Sequence, residues 1–301
     1  MQPNNHYVDF PLLKEKGVIL ALKREDLLHP FISGNKYRKL KYNLKEAQEF
    51  NHHTLVTFGG AYSNHIAALS FAGKEKGFAT IGIIRGEELK DKWQDNPTLT
   101  FAHENGMSFK FISRTEYKNK TNSTFLTELE KEYGRFYLVP EGGTNALAVK
   151  GCEEILTKTD QDFDVVCSCV GTGGTISGLI NSCGSNQKVL GFPALRGDFL
   201  NAEIKGMTTK RNWKLITDYH FGGYGKVTTE LVHFINDFKK RTVIPLDPIY
   251  TGKMLYGLLD MIKNDNFVHG TKILAIHTGG LQGLAGMNTV LKKKNLPLLH
   301  I

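Results

Sequence analysis

From about residue 54 onward the chain alternates short apolar runs with helix-patterned segments, and this alternation constrains the fold more than any other feature. "TLVTF" (54–58) reads as a strand and leads into "SNHIAALSFAGKEKG", a helix pattern closed by Gly77. "ATIGIIR" (79–85), "SFKFIS" (108–113) and "RFYLVP" (135–140) follow as strands, separated by the helix patterns "PTLTFAHENG" and "STFLTELEKEYG". A second series starts after Gly142 with helical "NALAVKGCEEIL", strand "DVVCSCV" (164–170) running into "GTGGTISGLINSCG", and strand "KVLGFPAL" (188–195). A helix near 197–209, the helices "TTELVHFINDFKKR" and "YTGKMLYGLLDMI", strand "TKILAIHTGG" and helix "QGLAGMNTVLKKK" complete it. Buried-type apolar strands joined by helices build parallel sheets covered on both faces. The fold class is therefore α/β, with two open, twisted, mainly parallel sheets covered by helices. No repeat, low-complexity tract or linker separates the two series, so they are expected to pack closely around a ligand cleft at the strand C-terminal ends.

With 301 residues, 41% of them hydrophobic and 23% charged, the chain has the composition of one large or two ordinary globular domains. A net charge of +8 permits anionic partners, but the basic residues are scattered. The runs Lys239–Arg241 and Lys292–Lys294 sit at the ends of predicted helices, where cations complement the helix dipole. No aromatic–basic interleaving accompanies them, so no nucleic-acid partner is expected. Cys152, Cys167, Cys169 and Cys183 form no C-x-x-C pair, and Cys167 and Cys169 share one strand face. Reduced core thiols, no metal site and a cytoplasmic location follow as expectations. "MQPNNHYVDFPLLKEKG" lacks a signal pattern, and no apolar run approaches the ~18 residues of a membrane span.

Three strands end in polar or glycine-rich turns that open a helix: "FGGAYSNH", "CVGTGGTISG" and "IHTGG". In "VGTGGTISG" (170–178) the glycines let the backbone approach an anion, Thr172 and Thr175 can donate hydroxyls, and a helix begins there. A dinucleotide loop needs G-x-G-x-x-G, and Ile176 stands at the third position. A Walker A loop needs Gly-Lys-Ser/Thr, and Leu179 follows Gly178. A small phosphate such as that of pyridoxal phosphate remains, beside the plainer possibility of a tight turn without ligand. "SGNKYRKLKYNL" (33–44) then supplies cations: Lys36 and Lys39 share one helical face, while Arg38 and Lys41 lie elsewhere as surface or packing charges. A lone helical lysine is ordinarily solvated; the phosphate loop, the Gly-Asn lead-in and the "SNH" turn make Lys36 a candidate.

"GNKYRKLKYNL", "GGAYSNH", "EGGTNALAVKG", "VGTGGTISGL", "GGYG", "DPIYTGK" and "IHTGG" occur, over nearly the whole chain, in an order that resembles one family. It is the pyridoxal-phosphate-dependent 1-aminocyclopropane-1-carboxylate deaminase / D-cysteine desulfhydrase family, of the tryptophan-synthase-β fold type II. The resemblance implies a smaller α/β domain over 45–145 and a larger cofactor-binding domain from 1–44 with 146–301, the cofactor lying between them. It makes Lys36 the Schiff-base lysine and general base, and gives the cofactor phosphate to Lys39, Gly171, Thr172, Gly173, Gly174 and Thr175. Asn64 would bond the phenolic oxygen and Thr278 would face the pyridine nitrogen, where a hydroxyl makes a milder electron sink than an acid. Ser63, Asn64 and His65 would meet the substrate, the first and last at its carboxylate, with Tyr224 and Tyr250 as active-site tyrosines.

The activity implied is α,β-elimination of D-cysteine to pyruvate, hydrogen sulfide and ammonia, in a homodimer. In the resembling family the ring-opening deaminases carry Gln where His65 stands and an acid where Thr278 stands, which favours D-cysteine. The alternatives are the cyclopropane deaminase, another D-amino-acid lyase, or a non-catalytic cofactor carrier, which would not need Ser63, Asn64 and both tyrosines. One departure is Ala67, where the family pattern has Arg, at carboxylate recognition or an interface contact.

Overall fold

The computed structural model describes residues 3–300. Its larger sheet holds six strands: β1 (Asn5–Tyr7), β2 (Ile19–Lys23), β7 (Val165–Val170), β8 (Lys188–Pro193), β9 (Trp213–Leu215) and β10 (Lys272–Ile276). They lie in the order β1-β2-β10-β7-β8-β9, all parallel except the β1 edge. The smaller sheet is wholly parallel: β3 (Thr54–Gly60), β4 (Ala79–Arg85), β5 (Met107–Ile112) and β6 (Tyr137–Val139), in the order β5-β4-β3-β6. Every residue of β7 is buried, as the unbroken "VVCSCV" run requires of a central parallel strand.

Helices cover both faces of each sheet. On the larger one, α1 (Pro11–Lys16), α9 (Thr229–Thr242), α10 (Thr251–Lys263) and α11 (Leu284–Lys293) close one side, burying Phe238, Met254, Leu255 and Leu291. The other side carries α6 (Ala146–Glu153), α7 (Gly174–Ser182) and α8 (Phe199–Met207), with Ile176, Leu179 and Ile204 inside. On the smaller sheet, α2 (Asn35–Glu49), α3 (Asn64–Lys76) and α4 (Pro97–Glu104) bury Leu40, Leu44, Ile66 and Leu99. Opposite them α5 (Ser123–Tyr133) contributes Leu129 to a second layer with Phe58 and Ile83. The four cysteines are buried and unpaired. No helix among the described residues is long and apolar enough to cross a membrane.

We propose the two-domain division at 44/45 and 145/146; α2 then runs across the first seam. Its Leu40–Leu44 stripe packs on the smaller sheet, while its other side meets α6 so closely that a Cβ on Gly151 would fall 2.0 Å from the Arg38 carbonyl oxygen. That packing buries Arg38, which is 5% exposed and bound at 2.9 and 3.0 Å to the Glu25 carboxylate. Arg38 is thus a packing charge, and Lys41, paired with Glu154 at 2.7 Å, is the surface one.

Candidate active site

The cleft forms where the ends of β3, β7 and β10 meet the start of α2, among residues that include Lys36, Lys39, Ser63, Asn64, Gly171, Tyr250 and Thr278. Two close approaches lock this corner. A Cβ on Gly34, whose φ is +56°, would fall 2.0 Å from the Thr278 carbonyl oxygen; one on Gly279, at +80°, would fall 2.0 Å from Ser33 Oγ. The "SGN" and "HTGG" segments therefore interlock only as glycines. The Gly280 amide donates to Ser33 Oγ at 3.0 Å and the Asn35 amide to the Thr278 carbonyl at 3.2 Å.

Lys36 opens α2, half-buried, its Nζ 3.1 Å from Asn35 Oδ1. Asn35 Nδ2 in turn donates to Thr175 Oγ1 at 2.8 Å, tying the lysine to the glycine loop. Burial lowers the Lys36 pKa, with Cys169, Cys152 and Asp247 opposing. One helical turn on, Lys39 donates to the Gly142 carbonyl (3.0 Å), Thr144 Oγ1 (2.8 Å) and Thr172 Oγ1 (3.3 Å). Burial, then the Lys36 charge, lowers its pKa to about 7.

Neither lysine has a carboxylate within ion-pair reach among the described residues. Buried cations without an anion are costly. Beside them Gly174 leaves open the start of α7: a Cβ there would stand 3.0 Å from Thr144 and 3.2 Å from Lys39 Nζ. Unneutralised cations, hydroxyls and bare backbone at a helix start fit a phosphate and an aldehyde-seeking amine.

Ser63 caps α3, its Oγ accepting from the His65 and Ile66 amides at 3.2 and 3.4 Å, which leaves its hydroxyl proton free. Asn64 Oδ1 accepts from Gln282 Nε2 at 2.7 Å, so its Nδ2 is the end left to donate. His65 departs from the carboxylate-binding role. The Thr57 hydroxyl donates to the Val139 carbonyl at 2.7 Å, so at 2.9 Å it can only accept from His65 Nε2–H. Nδ1 is then a bare, buried acceptor without a partner among the described residues. Burial, with Lys36 and Lys39, holds the His65 pKa well below its ordinary value, so the ring stays neutral and offers no N–H to an anion. Ala67 is buried within α3.

Tyr250 stands at the start of α10 against the glycine loop, where a Cβ on Gly171 would meet its ring at 3.2 Å. Tyr224 contacts it edge-on, with ring centroids 6.2 Å apart. Burial raises both pKa values, so both are phenols at neutral pH, donors rather than bases. Thr278 Oγ1 lies 3.0 Å from Cys169 Sγ, and burial pushes that thiol up to about 12. The sequence reading took Asn35 only as part of the lead-in to Lys36 and Cys169 only as a core thiol, and it gave no site role to Gln282 or to Asp247, a carboxylate bound by the amides of Ile249, Tyr250 and Thr251. Only the "DPIYTGK" string signalled Asp247.

The family described as "Pyridoxal-phosphate dependent enzyme" matches residues 5–279. An Arabidopsis thaliana protein named bifunctional D-cysteine desulfhydrase/1-aminocyclopropane-1-carboxylate deaminase, mitochondrial, is 34% identical, over 89% of this chain and 74% of its own. A Pyrococcus horikoshii protein provisionally named 1-aminocyclopropane-1-carboxylate deaminase is 32% identical, over 90% of this chain and 87% of its own. A crystal structure of an ACC deaminase homologue superposes with a TM-score of 0.84 at 29% identity, covering 97% of this chain and 94% of that one. With the paired cleft lysines and the glycine loop in place, the chain belongs to the pyridoxal-phosphate-dependent enzymes, in the 1-aminocyclopropane-1-carboxylate deaminase / D-cysteine desulfhydrase family.

Proposed function

We propose that the chain is a D-cysteine desulfhydrase, converting D-cysteine and water to pyruvate, hydrogen sulfide and ammonia. The observation that carries this reading is the Thr278 corner, where a hydroxyl 3.0 Å from the Cys169 thiol stands in place of an acid. A nearby buried carboxylate, Asp247, has both oxygens occupied by backbone donors and the Thr251 hydroxyl. Bound pyridoxal phosphate supplies an aldehyde that captures the substrate amine and a ring that withdraws electrons from the α-carbon. A hydroxyl at the ring nitrogen keeps that withdrawal mild, which suits expulsion of a β-thiol.

In this reading Lys39 and the Gly171–Thr175 backbone hold the phosphate, and Asn64, oriented by Gln282, donates to the phenolic oxygen. Ser63 and the start of α3 bind the substrate carboxylate, while His65 anchors α3 to β3 and β6 through Thr57. Lys36 Nζ, its pKa lowered by burial, takes the α-proton. The Tyr224 and Tyr250 hydroxyls donate on the substrate side.

A second reading is the cyclopropane deaminase, favoured by the double name of the Arabidopsis relative. Incubation with D-cysteine, L-cysteine and 1-aminocyclopropane-1-carboxylate, with sulfide, pyruvate and 2-oxobutyrate measured, decides between them. Sulfide from D-cysteine alone supports the proposal; 2-oxobutyrate from the cyclopropane overturns it. A homodimer and a cytoplasmic location belong to the same proposal, checked by sedimentation and cell fractionation.

A further inference from the structure

Lys253, the last residue of "DPIYTGK", is 2% exposed on α10, yet it lines no part of the cleft. No carboxylate lies within ion-pair reach of it among the described residues. Its Nζ instead donates to two backbone carbonyls, those of His220 and Gly223, each at 2.9 Å. Burial lowers its pKa to about 8. A lysine sunk this far to hold two neutral acceptors needs a reason.

The segment it holds is unusual backbone. Phe221, Gly222, Gly223 and Gly225 all have positive φ, at +54°, +89°, +113° and +71°. Left-handed residues in such a run have little intrinsic stability and persist where their surroundings fix them. Those surroundings are one stripe of α10 at helical spacing, Lys253, Gly257 and Asp260. Gly257 receives the Tyr219 ring, which a Cβ there would meet at 2.6 Å, and Asp260 accepts from the Tyr219 hydroxyl at 2.8 Å. Next to the stripe, Phe221 packs edge-on against Tyr256 with centroids 4.9 Å apart. The fourth residue of this turn-rich stretch is Tyr224, whose ring meets Tyr250. Tyr250 sits at the start of the same helix, its amide held by Asp247 Oδ2 at 2.9 Å.

We propose that Lys253 is a positioning residue for the reaction: its buried ammonium, bound to the His220 and Gly223 carbonyls, holds the left-handed turn that sets Tyr224 against Tyr250 over the cleft. Helix α10 is then a common frame for both tyrosines, Asp247 fixing one and Lys253 the other. The inference rests on the placing of Tyr224 in the site under the proposed function.

The test combines amide hydrogen exchange on the cofactor-free protein with steady-state kinetics on the holoenzyme. In Lys253→Met the amides of Gly222, Gly223 and Lys226, which close the turn, exchange at least about tenfold faster, while amides of β8 keep their protection. On the substrate turned over fastest, kcat falls roughly 10- to 100-fold with a smaller change in KM. Lys253→Met combined with Tyr224→Phe is no slower than the slower single variant, since both remove the same contribution. Lys253→Gln, which retains a donor, lies between wild type and Lys253→Met in both readouts, and it decides the matter if Lys253→Met does not fold.

Unchanged exchange at the turn overturns the proposal. So do multiplicative kinetic losses, or an unchanged kcat in Lys253→Met when Tyr224→Phe alone is slow. If Tyr224→Phe is itself fully active, the assignment of Tyr224 has failed, and the exchange result alone then decides whether Lys253 holds the turn.

Discussion

The two sides of α2 treat the same kind of side chain in opposite ways. On the seam with α6, Arg38 meets the fully buried Glu25 at 2.9 Å and Lys41 meets Glu154 at 2.7 Å. On the cleft side, Lys36 and Lys39 donate to amide, hydroxyl and carbonyl oxygens and have no carboxylate within ion-pair reach among the described residues. The contrast holds across the molecule. Of the five buried lysines and arginines among the described residues, Lys23, Arg24 and Arg38 are each paired with a carboxylate, while Lys39 and Lys253, at or beside the cleft, are not. Burying a charge without a carboxylate partner is expensive, so such a cation persists only where it has another task, a ligand anion for Lys39 and two backbone carbonyls for Lys253. An unpaired buried cation therefore marks a place reserved for something else, and charge density alone does not.

The strongest way to break this contrast is to remove one cation from each side. Lys36→Ala should lower turnover at least about 10³-fold, since it deletes both the attachment amine and the base. It should also abolish the long-wavelength absorbance of bound cofactor. In the cofactor-free form it should melt no lower than wild type, because no anion is stranded. Arg38→Met should do the reverse, destabilising the protein by about 3–5 kcal/mol because Glu25 is left buried and alone, with turnover per folded molecule unchanged. Chemical denaturation and activity of the two variants side by side check this. Equal destabilisation by both would erase the distinction.

Lys39 sharpens it through pH. Its pKa is lowered from 10.5 to about 7 in the cofactor-free protein, and a phosphate beside it would restore the proton. Binding thus takes up a proton above pH 7, so affinity for pyridoxal phosphate should fall as pH rises through 7 and beyond. Because the folded chain binds fewer protons here than the unfolded one, this group makes cofactor-free stability rise between about pH 7 and 10.5. Lys39→Met should weaken cofactor binding roughly 10- to 100-fold and flatten both pH profiles. Titration of the cofactor at several pH values measures it; an unchanged slope in Lys39→Met would remove Lys39 from the phosphate site.

Much of this layout was legible in the chain itself. Strand β4 lies where "ATIGIIR" places it, and Ser63 and Gly77 cap α3 as the pattern requires. The spacing of Lys36 and Lys39 put both on the cleft face of α2. The short strands β1, β2 and β9 escaped notice, since segments of three to five residues carry too little periodicity to stand out. Whether Arg38 was the surface or the packing charge could not be read locally, because its burial depends on Gly151, more than a hundred residues away, letting α6 approach. The direction of the His65 ring follows from the β3–β6 register, which sets Thr57 beside Val139. Asp247 and Lys253 work through backbone groups, and no pattern of residue types reports which carbonyls a lysine will reach.

The smallest effect separates pairing from burial as the origin of the contrast. Lys41 and Arg38 share Glu154, at 2.7 and 3.7 Å, but the Lys41 side chain is 46% exposed and that of Arg38 6%. Water solvates Lys41 once the pair is broken, and Glu154 keeps Arg38 and the Tyr42 hydroxyl as partners. Lys41→Ala should therefore cost less than about 1 kcal/mol, a difference that shrinks further in high salt. Denaturant midpoints at low and high salt measure it. If Lys41→Ala costs as much as Arg38→Met, the loss of a carboxylate's partner sets the penalty wherever the pair sits. If it costs little, the penalty comes from stranding a charge away from water, and the lone lysines of the cleft stand out for the same reason.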